Sequence, residues 1–218
     1  MAKAGWQSFH LDVNEIPAAY ADQLNRAPRR AQGYLSRPCS GVTSSAAASK
    51  RAEEHLAAGL FVRDDLALPN GEQLALLNYQ FPPKSVRADA GTGKIDLLGS
   101  REDGTLAVVE LKVPGNREDR RVALLEGLIY AAIVEANIEQ IAAEVLAVKG
   151  RRVRLARPGI LVIAAADYWS DCRTYPPTAD LETLTSDIAA AIPIDTGGRV
   201  PFHPGSQVAY QDELHCKF

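Results

Sequence analysis

The stretch Lys94-Ile-Asp-Leu-Leu-Gly-Ser-Arg-Glu-Asp-Gly-Thr-Leu-Ala-Val-Val-Glu-Leu-Lys-Val113 decides the fold of this chain. Its two apolar halves are joined through Asp103-Gly104, and an Asp-Gly pair supplies the positive φ that a tight hairpin requires. A turn centred near that pair places Asp96 opposite Glu110, and Lys112 shares their face because side chains alternate along a strand. We therefore predict two carboxylates and one ammonium at a single spot beside apolar strands.

Such a grouping indicates a particular chemistry. Two carboxylates held close together repel each other, and a bound divalent cation is the usual reason for a fold to tolerate that cost. The hairpin therefore predicts a metal site suited to phosphate chemistry.

Asp96 followed by Glu110-Leu111-Lys112 resembles the signature of the PD-(D/E)XK nuclease superfamily, which has the restriction-endonuclease-like fold. The resemblance covers about residues 51–167 as an ordered series of elements, whereas the motif itself is only three polar residues. One departure is Ile95, which stands where the family name has proline; many divergent members also lack that proline. The resemblance implies an α/β fold, namely a three-layer α/β/α core with a mixed central β-sheet flanked by helices.

The resemblance also implies an activity, a Mg²⁺-dependent nuclease that hydrolyses phosphodiester bonds of DNA. Asp96, Glu110 and the main-chain carbonyl of Leu111 would hold one or two Mg²⁺ ions, for which Mn²⁺ could substitute. Lys112 would orient the attacking water or help to deprotonate it. The competing interpretation is a catalytically inactive module of the same fold that binds DNA or a protein partner. RNA as the substrate is a further alternative, although no RNA-binding motif is visible.

A first helix is predicted from about Ser45 to Leu60, where apolar residues recur on one stripe. In the family the first helix often carries a glutamate followed by apolar residues at the third, fourth and seventh positions after it. Glu53 fits that spacing, and we assign it to the metal ligands; Glu54 is the alternative. A surface glutamate on an amphipathic helix is an equally weighted interpretation.

A second helix, predicted from Val122 to about Ala136, places Glu126 and Tyr130 one turn apart on one side. The pair resembles a Gln-x-x-x-Tyr pair of many family members, with Glu in place of Gln. Glu126 could supply another oxygen near the metal or orient Lys112. A tyrosine packed in the core is the competing interpretation.

Several arginines are candidates for contact with the DNA backbone. One group follows the catalytic strand and opens the second helix, where main-chain amides could also address phosphate. A further arginine lies in the loop before the hairpin. A later basic run at 149–154 is interpreted as a solvated turn. The predicted DNA contacts are Arg87, Arg117, Arg120 and Arg121.

The remaining elements complete the predicted order. A strand is expected at 74–81 before the hairpin and a buried strand at 160–166 after the second helix. A last helix is expected at 181–192, followed by an irregular tail from the glycine pair at 197–198. Gly91-Thr-Gly-Lys94 lacks the residues of a phosphate-binding loop on both sides, so that interpretation is rejected.

Composition bounds the remaining possibilities. The chain has 218 residues, of which 46% are hydrophobic, and a net charge of −3, so no global basic field drives DNA binding. We expect an N-terminal extension at 1–42, a solvated segment with apolar anchors rather than a basic arm, and a nuclease-like domain at 43–218. Three scattered cysteines and the lack of an apolar run predict a cytoplasmic protein with no membrane segment. A homodimer is possible.

Overall fold

The structure is a computed structural model of the chain, and it describes residues 13–29, 33, 35, 52–68, 70–82, 93–114, 116, 118–165, 168, 186–190 and 199–202. After a 3₁₀ turn, its helices are α1 (Ile16–Arg26), α2 (Ala52–Phe61), α3 (Arg120–Ala136) and α4 (Ile138–Lys149). Its strands are β1 (Asp65–Ala67), β2 (Gln73–Phe81), β3 (Ile95–Ser100), β4 (Leu106–Lys112), β5 (Gly159–Ala165) and β6 (Arg199–Phe202).

The six strands form one mixed sheet in the order β1-β2-β3-β4-β5-β6. Strands β1 to β4 make an antiparallel meander. Strand β5 then runs parallel to β4, and β6 runs parallel to β5. A parallel neighbour requires a crossover connection, and helices α3 and α4 provide it between β4 and β5. The predicted helix, three strands, helix and strand are present in that order, with β1 and α4 as additional elements.

The predicted hairpin is present with the expected register. Its paired residues run from Leu97↔Val109 to Ser100↔Leu106, so the turn is centred on Asp103. Gly104 has φ +84°, which a glycine adopts without strain. The Asp103 carboxylate caps the turn by accepting a hydrogen bond from the main-chain N of Thr105 at 2.9 Å. The Asp-Gly pair therefore decides which residues of β3 and β4 face one another.

Helices pack on both faces of the sheet. One apolar cluster joins α1, α3 and α4 to the face that carries Leu106 and Val108, and the other joins α2 to the face that carries Ala107 and Val109. Helix α3 lies close to β5 at Gly127, where an added Cβ would meet Ile160 Cγ2 at 2.5 Å. The α/β class with a mixed sheet and helices on both faces is confirmed, whereas the three-layer arrangement stays a prediction.

Several elements of the structure differ from those predicted from the sequence. Strand β1 and helix α4 were not predicted, and residues 199–202 form strand β6 although the sequence predicted an irregular tail there. A proline is tolerated in this strand because β6 lies at the edge of the sheet. Of the helix predicted at 181–192, residues 186–190 are helical and the rest lie outside the described residues, as does 45–51 of the first predicted helix.

Helix α1 is anchored to the core by its apolar side. Ile16 and Tyr20 are buried in the cluster that contains α3. The Tyr20 hydroxyl donates to Glu135 Oε2 at 2.7 Å, and Arg157 Nε donates to the same oxygen at 2.8 Å. Apolar anchoring is what the sequence favoured for this part of the predicted extension. Within the described residues, no helix combines the length and apolar character needed to cross a membrane.

Candidate active site

Strands β3 and β4 part at one end of the hairpin, and the predicted site lies in the resulting fork. The last pair of the β3–β4 ladder is Leu97↔Val109, whereas β4 continues beside β5 as far as Lys112. Asp96 and Glu110 are the next residues of β3 and β4 beyond that last pair. The fork therefore brings both carboxylates to the place where the sheet opens.

Asp96 is held by donors from the two strands beside β3. Its Oδ2 accepts a hydrogen bond from the main-chain N of Leu111 on β4 at 2.9 Å. Its Oδ1 accepts one from Gln80 Nε2 on β2 at 3.0 Å. Burial raises the pKa of Asp96 despite these donors, and the charge of Glu53 raises it further, while Lys112 opposes the change. The carboxylate is thus oriented but poorly solvated.

Glu110 and Lys112 form a buried ion pair on the same face of β4. Lys112 Nζ lies 2.8 Å from Glu110 Oε1, and their exposed fractions are 5% and 7%, respectively. Burial raises the pKa of Glu110, and repulsion from Asp96 raises it further, although Lys112 acts in the opposite direction. The two carboxylates predicted to converge therefore do interact, at an energetic cost that a cation would remove.

Two further carboxylates surround the Lys112 ammonium. Glu118 Oε2 lies 2.6 Å from Nζ, and Glu126 Oε2 lies 3.5 Å from it. Burial alone would lower the pKa of Lys112, but Glu110 and Glu118 outweigh it and raise the pKa above its usual range. Lys112 is therefore a protonated cation at neutral pH. It can donate hydrogen bonds and offset negative charge.

Helix α2 brings Glu53 to the same fork. Asn116 Nδ2 donates to Glu53 Oε1 at 3.2 Å, and Asn116 Oδ1 accepts from the main-chain N of Glu118 at 2.8 Å. One asparagine of the β4–α3 connection thus ties the α2 carboxylate to the segment that carries Glu118. Glu53 is also the α2 carboxylate whose charge acts on Asp96. Glu54 lies about 100° further around the helix.

Tyr130 on α3 closes the fork from the other side. Its hydroxyl packs so closely on Gly93 that a Cβ there would lie 2.0 Å from the phenolic oxygen. Burial raises the pKa of Tyr130, and the charges of Glu110 and Glu126 raise it further. Tyr130 also contacts the apolar cluster beneath α3, so it is both a packing residue and a neighbour of the site.

The predicted DNA contacts are not all accessible. Arg120 is 2% exposed, and its Nε and Nη2 donate to the main-chain O of Tyr168 at 2.9 and 2.7 Å. The prediction that Arg120 contacts DNA is therefore corrected, because its guanidinium is enclosed in the fold. Arg121 pairs with Asp119, the N-cap residue of α3. Its DNA contact stays a prediction, and Arg87 and Arg117 lie outside the described residues.

Three residues at the fork were not predicted from sequence: Gln80, Asn116 and Glu118. Gln80 stands opposite Asp96 between two paired residues, but a shift in the β2–β3 register, which no periodic pattern indicates, sets that alignment. Asn116 and Glu118 belong to an irregular connection. No periodic spacing indicates where such side chains point.

The donor chemistry of the fork suits a hard divalent cation. Asp96, Glu110 and Glu53 offer carboxylate oxygens, which are the ligands that Mg²⁺ prefers. Glu118 and Glu126 add two further carboxylates, so five carboxylates share the fork with the single ammonium of Lys112. In the described part of the chain, no three side chains of His, Cys, Asp or Glu already stand as a ligand set. Glu110 is engaged by Lys112, so a cation would bind by rearranging that pair.

No protein-family model matches this chain, and neither a curated protein nor a solved structure matches it. The chemistry of the fork is therefore inferred from its own geometry and charge. The strongest indication of that chemistry is the convergence of two carboxylates, Asp96 and Glu110, with the ammonium of Lys112.

Proposed function

We propose that this protein is a Mg²⁺-dependent nuclease of the PD-(D/E)XK type that hydrolyses phosphodiester bonds of DNA, with Mn²⁺ able to replace Mg²⁺. The observation that carries the proposal is the placement of Asp96 and Glu110 at the β3–β4 fork with the Lys112 ammonium against Glu110. A cytoplasmic location fits that reaction.

The chain order supports the proposal. A helix bearing Glu53 precedes the meander of β2, β3 and β4, and a helical crossover leads to β5 parallel to β4. That is the order of elements that the resemblance implies. A shared fold by itself says little about chemistry, so the proposal depends on the side chains at the fork.

The electrostatics of the fork favour a cation. Asp96 and Glu110 are buried at 8% and 7% exposure, and their charged forms are disfavoured by burial and repulsion. A divalent cation bound there supplies Lewis-acid stabilisation of the negative charge that develops on the phosphate. Asp96, fixed by two hydrogen-bond donors, presents its remaining lone pairs in a defined direction.

Lys112 provides a positive charge beside the scissile phosphate. It donates hydrogen bonds to a phosphate oxygen or to the attacking water. Its present partners are carboxylates, so substrate phosphate would replace one of them. Glu53, held by Asn116, completes the ligand set directly or through water.

The test uses two isosteric variants and one control. Purified protein is incubated with supercoiled, linear, single-stranded and branched DNA, with Mg²⁺, with Mn²⁺ or with a chelator. We expect cation-dependent cleavage that falls by on the order of a thousandfold in Glu110→Gln and in Asp96→Asn, because each loses a charged ligand. Glu139→Gln, an exposed residue on α4, is the matched control and keeps full activity.

Two outcomes would contradict the proposal. Cleavage at the wild-type rate by either variant would remove Asp96 or Glu110 from the reaction. A wild-type protein that neither cleaves any of these substrates nor binds Mg²⁺ or Mn²⁺ at millimolar concentration would favour a nuclease-fold module that binds DNA or a protein partner.

A further inference from the structure

Gln80 stands directly opposite Asp96 on the neighbouring strand. The β2–β3 ladder pairs Tyr79 with Leu97 and Phe81 with Ile95, so the position between them sets Gln80 against Asp96. The register of β2 also shifts between Leu76 and Asn78, just before this point. Such an irregularity re-aims the side chains that follow it, and bulges of this kind recur beside active sites.

The backbone of Gln80 adopts a conformation that glutamine rarely takes. Its φ is +47°, in the left-handed region, although it lies within strand β2. A residue with a Cβ pays free energy for that conformation, so it persists only where the surroundings impose it. The conformation also lets Tyr79 and Phe81, two residues apart on β2, pack against opposite apolar clusters, which regular alternation along a strand would not allow.

The side chain of Gln80 completes the hold on Asp96. Gln80 Nε2 donates to Oδ1 at 3.0 Å, while the main-chain N of Leu111 donates to Oδ2 at 2.9 Å. Each oxygen of a carboxylate has two lone pairs, so one on each oxygen stays available. Donors on β2 and β4 therefore fix the plane of the carboxylate without using up its capacity to bind a cation.

We propose that Gln80 is a positioning residue, whose amide fixes the Asp96 carboxylate in the orientation that receives the divalent cation. This inference rests on the proposed function, since it concerns the same cation. Gln80 touches neither substrate nor cation in this assignment; it acts through Asp96.

The proposal predicts that Gln80→Gly lowers cation affinity without lowering stability. Glycine relieves the strain at φ +47°, so the melting temperature stays the same or rises. The amide donor is lost, so the dissociation constant for Mn²⁺ rises by about 10- to 100-fold, the range usual for a residue that orients a metal ligand. A purely structural residue would lose stability without that specific loss of affinity.

Two further variants separate strain from hydrogen bonding. Gln80→Met keeps the length of the side chain and the strain but removes the donor, so affinity falls as in Gln80→Gly without the gain in stability. Asp64→Gly is the matched control, because Asp64 has φ +65° and is exposed in the turn after α2, away from the fork. It should gain stability and bind Mn²⁺ with wild-type affinity.

The measurements are calorimetric titration of the full chain with Mn²⁺, melting temperatures with a chelator present, and a crystal structure of Gln80→Gly. Unchanged affinity in Gln80→Gly would overturn the role of Gln80 while leaving the nuclease proposal intact. Wild-type protein that binds no Mn²⁺ would overturn the proposed function and this role with it. An Asp96 carboxylate that keeps its orientation in the variant crystal would overturn the positioning role, whatever the titration shows.

Discussion

The ammonium of Lys112 lies closer to Glu118, at 2.6 Å, than to Glu110, at 2.8 Å, although Glu110 is its neighbour on the same strand. Glu118 belongs to the connection between β4 and α3, and its side chain is 22% exposed, against 9% for Glu110. Glu118 is thus the more accessible of these two partners of the ammonium. In this arrangement the β4–α3 connection neutralises the Lys112 ammonium, which under the proposed function contacts the substrate phosphate.

We predict that Glu118→Gln strengthens DNA binding. The variant removes one negative charge from the fork and weakens the competition for Lys112, so KM for DNA should fall several-fold, most strongly at low salt. Glu126→Gln is the matched control, because Glu126 is 3.5 Å from Nζ and its effect should be smaller. Steady-state kinetics at two salt concentrations measure both; a KM that rises in Glu118→Gln would contradict the prediction.

We predict that the stability of the cation-free protein falls as the pH rises from 5 to 8. Burial raises the pKa of Asp96 and of Glu110 in the folded state above the ordinary carboxyl value of about 4. The folded state then binds more protons than the unfolded state across that interval, so the free energy of unfolding decreases with pH. Lys112 does not offset this, because its raised pKa affects stability only above its ordinary value of about 10.4.

The measurement is the melting temperature of wild type and of Glu110→Gln at several pH values, with a chelator and with Mg²⁺. The difference between the two proteins isolates Glu110 from carboxylates elsewhere in the chain. We expect the melting temperature of Glu110→Gln to rise relative to that of the wild type as the pH increases. Mg²⁺ should remove this difference, because it stabilises the ionised carboxylates of the wild type. A difference that is independent of pH would show that Glu110 ionises normally in the fold.

The predictable part of the site is the part fixed by strand periodicity. The Asp103-Gly104 turn sets the hairpin register, and the alternation of side chains then decides that Asp96, Glu110 and Lys112 meet. The choice of Glu53 on α2 depends instead on the resemblance, which implies a glutamate at that spacing from the apolar residues of the first helix. Along the two strands, a repeat of known period converts sequence position into direction.

The unpredicted part of the site depends on backbone that has no period. Gln80 reaches Asp96 through a left-handed residue after a shift in register, and Glu118 reaches Lys112 from a turn capped by Asn116. The predicted DNA contact of Arg120 is wrong for a related reason. The direction of its side chain depends on the residue at which α3 begins, and single-sequence patterns locate that boundary only to within a few residues.

We predict that Arg120→Ala acts on stability rather than on DNA affinity. Its guanidinium is buried and donates twice to the main-chain O of Tyr168, so truncation leaves a cavity and removes both of these hydrogen bonds. The loss should be about 2–4 kcal/mol in the free energy of unfolding, measured by chemical denaturation. Arg121→Ala, one residue along at the helix surface, is the control and should leave stability nearly unchanged. Equal stability of the two variants would mean that Arg120 is not enclosed as described.

We predict that Glu53→Gln and Glu54→Gln differ sharply although the two residues are adjacent. Glu53 accepts a hydrogen bond from Asn116, and its charge acts on Asp96, so the neutral variant should weaken Mg²⁺ binding and lower cleavage by about tenfold or more. Glu54 lies about 100° around α2, and its variant should retain the wild-type rate. Glutamine keeps the acceptor for Asn116, so a loss in Glu53→Gln reports on the charge and not on the hydrogen bond. Mg²⁺ titrations of the cleavage rate distinguish the two; a larger loss in Glu54→Gln would mean that α2 presents the other carboxylate to the fork.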